Sequence, residues 1–460
     1  TVMNIPAIVA TQKAFFLTGA TKKIANRLAA LNRLEQTILR YEPEIAAALQ
    51  ADLNKSPFES YMAEIGMVLS ELRYMRKHLP GFARPRLCPP SMSQLPAISF
   101  EYPQPYGTVL ILSPWNYPFQ LAMEPLIGAL AAGNCCVLKP SSASPNTSAL
   151  IKRMMEEIFP SRYVAVVEGG HGENSELLDE SFDYIFFTGS ARVGRVVLEK
   201  AAQHLTPVSL ELGGKSPCVV DESADLKLAA RRILFGKLLN SGQTCVAPDY
   251  LLIQESVKEQ WIYYAQKELE RMYGPDPLQN PNYPRIIHSG HFHRILSLIQ
   301  NGHRITGGTS DPVTLKIAPV LLDQVTLEDP VMKEEIFGPV LPILTYRTKE
   351  EAVSIIRSVM GGAKPLAFYL FTRKKKTECY YLNTLSFGGG CINDTVIHLA
   401  TSHMGFGGVG ASGMGSYHGK YSFNTFSHRR SLVKKYSFPD PSVRYQPASA
   451  WKTALLRKLL

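Results

Sequence analysis

Residues 184–194 read Tyr-Ile-Phe-Phe-Thr-Gly-Ser-Ala-Arg-Val-Gly. An unbroken apolar run predicts a strand buried on both faces. It passes through a glycine-containing turn into a helix-length segment. One such step implies a βα unit whose helix starts above the end of the strand. The same pattern spreads outward in both directions. Short apolar runs occur at 108–112 (TVLIL), 135–138 (CCVL), 163–167 (YVAVV) and 208–212 (VSLEL), and amphipathic segments separate most of them. Apolar strands alternating with helices indicate a parallel sheet covered on both faces. A second series follows: PCVV at 217–220, a helix at 225–240, LLI at 251–253, and strands near 338–344 and 366–371. The fold class is therefore α/β, with two such units in tandem and no internal repeat.

Upstream, residues 21–79 are expected to be helical. Thr21 can cap a stripe of Ile24, Leu28, Leu31 and Ile38, and a second stripe runs Tyr61, Ile65, Val68, Leu72. Prolines break residues 80–97 into a connection, after which Ile98, Phe100 and Tyr102 alternate as a half-exposed strand.

Composition bounds the rest. The chain has 460 residues, 45% hydrophobic and 10% aromatic, which excludes a disordered, collagen-like or low-complexity protein. The most apolar long stretch, 119–138, contains Glu124, Pro125 and Gly133, so it reads as core and not as a membrane span. No signal peptide is expected. Seven cysteines without CxxC spacing fit a reducing compartment, and a cytoplasmic location is expected. The net charge is +10, concentrated in residues 421–460, where eight Lys and Arg face Asp440 alone. The neutral remainder argues against a nucleic-acid-binding body.

Three segments carry chemistry. Asn240-Ser241-Gly242-Gln243-Thr244-Cys245 is a polar loop that delivers a cysteine, and an exposed thiolate is a strong nucleophile. The other six cysteines read as small core residues. Glu211 closes an apolar strand and is followed by Gly213-Gly214-Lys215; burial there would raise its pKa toward that of a useful base. The turn at 187–194 can bring a helix N-terminus to a pyrophosphate through Gly189, Ser190 and Gly194. Its GxxxxG spacing differs from GxGxxG and no Lys-Ser/Thr follows, so a tight strand–helix turn explains it equally well. His288, His291 and His293 open a helical stretch without carboxylate or cysteine support, so they read as surface or capping residues and no metal is expected. Arg373–Lys376 reads as a solvated turn.

Taken together, SPWNYPF (113–119), VLKPS (137–141), FTGS (187–190), ELGGKSP (211–217), NSGQTC (240–245) and EEIFGPV (334–340) resemble the aldehyde dehydrogenase superfamily. MGFGGVG (404–410), SGMGSYHGK (412–420) and FNTFSHRRS (423–431) resemble its class 3 branch, which includes fatty aldehyde dehydrogenase. The likeness runs from about residue 10 to 435. It implies a Rossmann-like cofactor domain (1–80 and 105–212), a second α/β catalytic domain (213–415) and a β bridging ribbon (81–104 and 416–436) that pairs subunits into a homodimer. Residues 437–460 remain as a basic tail.

By the same resemblance, Cys245 is the nucleophile, Asn116 and the Cys245 backbone N–H are oxyanion donors, and Glu211 activates water. Lys139 would hold the adenine-side ribose, Glu335 the nicotinamide ribose, and Phe337 would flank the nicotinamide of NAD or NADP. The branch usually carries Glu where this chain has Ser142. Without that carboxylate, and with Lys139 retained, NADP is expected to be accepted, even preferred. Tyr117, Leu121, Leu239 and Thr244 flank the catalytic residues in sequence and are expected to line the substrate tunnel. Their apolar and aromatic character suits medium- or long-chain aliphatic, or aromatic, aldehydes.

The tail, AWKTALLRKLL at 450–460, is basic and apolar together. It is too short to span a bilayer but could lie on an anionic membrane surface, with Trp451, Leu455 and Leu459 on one face. Two rival readings are an enzyme passing its thioester to coenzyme A, which needs no water-activating base, and a catalytically silent scaffold, which would not keep Cys245, Glu211, Asn116 and Lys139.

Overall fold

A computed structural model describes residues 4–300 and 303–459. Leu460, and the side chain of Leu459 expected on the apolar face of the tail, lie outside the described residues.

The first sheet runs in the order Val208–Glu211, Tyr184–Thr188, Thr108–Leu112, Cys135–Lys139, Val164–Val166, all parallel. The central strands are buried along their length, which explains their apolar sequences. Chain order reverses between Thr108–Leu112 and Tyr184–Thr188. That switch point opens a crevice above the carboxyl ends of these strands, the usual ligand position in such sheets. A two-residue strand, Gly413–Met414, adds antiparallel to Val208–Glu211. The expected boundary at residue 415 instead counts this strand with the second unit. Helix Gly419–Thr425 packs on helix Gln120–Ala132, so the chain returns to the first unit before entering the ribbon.

The second sheet orders His303–Thr306, Val320–Asp323, Val340–Tyr346, Tyr250–Gln254, Pro217–Val220, Ala367–Phe371 and Gly389–Ile392, with only the first strand antiparallel. The last strand is Gly-Gly-Cys-Ile, without the apolar run that would reveal it. A third, antiparallel sheet joins Arg86–Cys88, Ala97–Pro105 and Ser427–Lys435.

The helical layer differs in detail from expectation. Helix Ile5–Leu17, capped by the Asn4 side chain, precedes the predicted region. Thr21 lies in a separate turn, and the long helix Ile24–Leu53 begins after Lys23. Tyr61 is exposed while Ile65, Val68 and Leu72 are buried. A π-helical turn at Tyr61–Ile65 puts an extra residue into the turn, which takes Tyr61 off the apolar stripe. No helix among the described residues is long and apolar enough to cross a membrane.

Candidate active site

Each of three strands of the first sheet delivers a site residue at its carboxyl end. Thr108–Leu112 leads into Ser113-Pro114-Trp115-Asn116, Tyr184–Thr188 into Gly189-Ser190, and Val208–Glu211 ends on Glu211 itself. A cleft of about 360 Å³ opens there. Asn116, Glu211 and Cys245 share its wall with Gly189, Ser190 and Leu121. Glu335 and Phe337 close it from the second unit.

The polar residues before Cys245 build the loop. Asn240, Ser241 and Gly242 stand in succession at φ 52°, 55° and 77°, which reverses the chain after helix Leu226–Leu238. A Cβ on Gly242 would fall 2.2 Å from the Gly338 carbonyl oxygen, so only glycine fits. The Asn240 side chain donates to the Asn116 carbonyl at 2.7 Å. Gln243 donates to the Arg285 carbonyl at 2.9 Å and accepts from the Ile287 N–H at 3.0 Å. Asn116 gives one amide hydrogen to the Gln243 carbonyl at 3.0 Å, leaving its second free for a ligand oxygen.

Cys245 keeps accessible surface in the cleft. Burial, followed by the Glu335 and Glu211 carboxylates, pushes its thiol up to about 12. Glu211 is 2% exposed and neither carboxyl oxygen has a protein hydrogen-bond partner. Burial alone holds its pKa well above the ordinary carboxylate value. Burial thus favours the protonated form of both groups, which share one cleft wall. Glu335 is lifted to about 8 by burial and by Asp249, against the Gly214 N–H and the cations Lys215 and Arg294.

Residues that sequence reasoning passed over complete the wall. Trp115 meets Phe337 edge-on at 5.5 Å and His291 at 5.2 Å. Arg294 donates to Glu334 at 2.8 Å and to the Ile336 carbonyl at 2.6 Å, which pins the segment carrying Glu335 and Phe337. Lys215 reaches the same segment through the Glu334 carbonyl at 2.8 Å. His288 caps helix Ser289–Leu298, accepting from the His291 N–H. His291, read as a surface or capping residue, instead lines the cleft, and burial lowers it to about 4. No signal local to 288–294 foretells this, because helix packing alone brings that face to the cleft.

The remaining sequence candidates are dispersed. Lys139 is buried, donating to the Pro140 and Gly169 carbonyls at 2.9 and 2.7 Å. Burial lowers its pKa, opposed by Glu173 and Glu168. Ser142 is exposed in the turn just beyond. Glu173 folds over Gly169-Gly170, accepting from the Gly170 N–H at 2.7 Å, so a carboxylate stands near Lys139 although residue 142 supplies none. Gly194 is not at the turn surface: its missing Cβ would lie 2.8 Å from a Leu212 methyl, so it lets helix Ala191–Gln203 pack on the strand. Of the four expected tunnel residues, only Leu121 lines the cleft. Tyr117 and Thr244 bond each other at 2.6 Å behind the cysteine loop, and Leu239 is half-buried with its carbonyl accepting from Thr244.

The cleft leaves room for the nicotinamide and phosphate end of a dinucleotide. Side chains are excluded at Gly189, whose Cβ would strike the Phe187 ring at 2.5 Å, and at Gly213, whose Cβ would lie 2.3 Å from the Glu335 carboxylate. Thr188 Oγ1 is buried beside them without a partner. No group of three or more His, Cys, Asp or Glu among the described residues could hold a metal ion.

Comparison with known proteins finds the family and the fold. Residues 2–432 match the family model described as the aldehyde dehydrogenase family. The 4,4'-diaponeurosporen-aldehyde dehydrogenase of Staphylococcus aureus is 47% identical over 437 residues, covering 95% of each chain. A dimeric NADP-preferring aldehyde dehydrogenase of Canis lupus familiaris is 42% identical over 98% of this chain and 99% of its own. A substrate-bound structure of Staphylococcus aureus AldH superposes with a TM-score of 0.96 at 46% identity, over 99% of both chains.

Proposed function

The chain belongs to the aldehyde dehydrogenase family and oxidises aldehydes with NAD(P), and we propose that its substrates are medium- or long-chain aliphatic, or aromatic, aldehydes, released as free carboxylic acids. The observation that carries this reading is the single cleft in which Cys245, Asn116 and Glu211 meet the Gly189–Ser190 turn and Glu335.

In this mechanism the Cys245 thiol gives up its proton to solvent water and Sγ bonds to the aldehyde carbon, whose C=O π electrons move onto the oxygen. The Asn116 amide and the Cys245 backbone N–H receive the developing oxyanion. NAD(P), when bound, supplies the acceptor for the hydride that the thiohemiacetal carbon gives up. The resulting thioester stays on Cys245. Glu211 takes a proton from water, the hydroxyl adds to the thioester carbon, and the sulfur leaves with the electrons of the broken C–S bond. Lys139 would hold the adenine-side ribose and Glu335 the nicotinamide ribose. Gly189 and Ser190, at the start of helix Ala191–Gln203, would meet the pyrophosphate, and Phe337 would flank the nicotinamide.

NADP is accepted with NAD in this reading. Ser142 offers no carboxylate to repel a 2′-phosphate, while the Glu173 and Glu168 carboxylates near Lys139 would themselves repel one and temper any preference. The name of the canine relative supports NADP use and a dimer. The exposed ribbon residues Ile98, Tyr102 and Leu432 share one face of the sheet and provide an apolar surface for that dimer. The apolar polyene aldehyde named for the Staphylococcus relative favours apolar substrates here too. Seven free cysteines support a cytoplasmic setting. In the tail helix Ala450–Leu459, exposed Trp451 and Leu455 beside Arg457 and Lys458 support contact with an anionic membrane surface.

Reduced-cofactor formation from octanal and benzaldehyde, with NAD and NADP in parallel, tests the reading. Wild type should turn over both aldehydes, and Cys245→Ala should be inactive. Negligible NADP turnover overturns the cofactor proposal. A succinate-type semialdehyde preferred over octanal overturns the substrate class. Acyl-CoA in place of free acid on adding coenzyme A favours the rival thioester transfer. Equal liposome binding by the full chain and a form ending at Ala448 removes the membrane role.

A further inference from the structure

Asn116 stands in the cleft on a segment, Ser113–Phe119, with no regular secondary structure of its own to hold it. Its hold comes from a buried ion pair on two other elements. Lys55, just after helix Ile24–Leu53, and Glu64, in the π-helical turn Tyr61–Ile65, are both fully buried and pair at 2.5 Å. Neither lines the cleft. The remaining valences of the pair go to the segment bearing Asn116. Lys55 Nζ donates to the Asn116 carbonyl at 2.9 Å and sits 3.9 Å from the centre of the Tyr117 ring. Glu64 Oε2 accepts from the Phe119 and Gln120 N–H groups at 2.9 and 3.1 Å. Helix Gln120–Ala132 has no side-chain cap at its first residue, so this carboxylate also faces its positive end.

The tie extends to the nucleophile loop. Asn240 shares the Asn116 carbonyl with Lys55, and Tyr117, under the ammonium, bonds Thr244 next to Cys245. A buried ion pair is weak as a source of stability, because desolvation opposes the attraction. An apolar pair would fill the same space without fixing the direction of two backbone groups and a ring.

Resting on the functional reading above, we propose that Lys55 and Glu64 are positioning residues for the oxidation step: by fixing the segment that carries it, they aim the Asn116 amide at the oxyanion. They touch neither substrate nor cofactor, so their loss should slow acyl-enzyme formation and leave cofactor affinity unchanged.

The test is a double-mutant cycle. Lys55→Met/Glu64→Gln removes both charges together and keeps an acceptor for the Phe119 and Gln120 N–H groups. It is compared with Asn116→Ala and with the triple variant. The readouts are the pre-steady-state burst of reduced cofactor with octanal, NAD affinity by protein fluorescence, and Tm. The expected result is a folded double variant with unchanged NAD affinity and a burst about 100-fold slower, the scale of a misplacement near 1 Å. In the Asn116→Ala background the same change should cost nothing further, because a positioning residue has no effect once its target is gone. A wild-type burst rate in the double variant, losses that multiply in the triple variant, or failure to fold each overturns the proposal. If Asn116→Ala itself leaves the burst unchanged, the oxyanion reading fails and this inference falls with it.

Discussion

Replacing Glu211 by Gln probes the reaction with little disturbance of the fold. The side chain is 2% exposed and its carboxyl oxygens take no hydrogen bond from the protein, so an amide of the same shape breaks no protein contact. Burial raises the pKa of this carboxyl, which fixes two signs. A group whose folded pKa lies above its unfolded value contributes stability that is complete below the unfolded pKa and lost as pH rises through the folded one. The Gln variant should therefore be at least as stable as wild type, with any advantage growing at alkaline pH. Hydrolysis of the thioester needs the ionised carboxylate, so wild-type turnover should climb with pH toward the raised pKa. The variant should lose that climb.

A positioned general base contributes about 10²–10⁴ in rate, equivalent to roughly 3–5 kcal/mol of barrier. Rapid mixing with octanal and NAD should show a burst near one reduced cofactor per site, followed by a steady rate lower by that factor. A steady rate within about threefold of wild type would mean that another base activates water, since a lost base costs at least about 100-fold. Loss of the burst together with turnover would place Glu211 before the thioester and refute the reasoning.

Three further outcomes follow from the same coordinates. Gly242→Ala puts a Cβ 2.2 Å from the Gly338 carbonyl at φ 77°, so calorimetry should show a loss of about 1–3 kcal/mol and turnover should fall with it, whereas Gly172→Ala, with nothing within 4 Å, should lose no activity. Gly213→Ala places a methyl 2.3 Å from the Glu335 carboxylate and should raise the Kd for NAD at least about tenfold, 1.4 kcal/mol, by fluorescence titration. Glu59 is buried and lifted to about 7. Its neutral form stabilises the fold fully below the ordinary carboxylate range, and that contribution is lost as pH rises through 7. Glu59→Gln should thus show a Tm advantage at pH 8 that is absent at pH 4, up to roughly 3 kcal/mol for a shift of this size. An equal Tm difference at both pH values would refute it.

The sheet that carries the site was legible because its strands are buried on both faces. TVLIL, CCVL and YIFF hold no charged residue and are almost wholly apolar, so the buried lattice prints itself on the chain. Glu211 and Cys245 stood out for the converse reason. A carboxylate closing an apolar strand, and a cysteine after a loop as polar as Asn-Ser-Gly-Gln-Thr, are expensive to build unless they do something. Strand Gly389–Ile392 and helix Ile5–Leu17 were not legible. The first has too few side chains for a pattern, and the second buries only Ile5, Val9 and Gln12 on one side.

Sequence by itself thus determined the class of fold and singled out the candidate nucleophile, base and cofactor turn, because each is written in residues near one another along the chain. Tertiary structure alone decided what stands around them. His291 and Arg294 face the cleft because a helix from the second unit packs there. Gly194 fills a packing contact, although its spacing resembles a phosphate loop. Tyr117 and Thr244 turn toward each other behind the cysteine loop, leaving only Leu121 of the expected tunnel on the cleft wall. Lys55 reaches Asn116 from 61 residues away, and Glu64 reaches Phe119 from 55. Local sequence constrains backbone conformation and burial, whereas the direction of a side chain across the gap between distant segments is set by how whole elements pack.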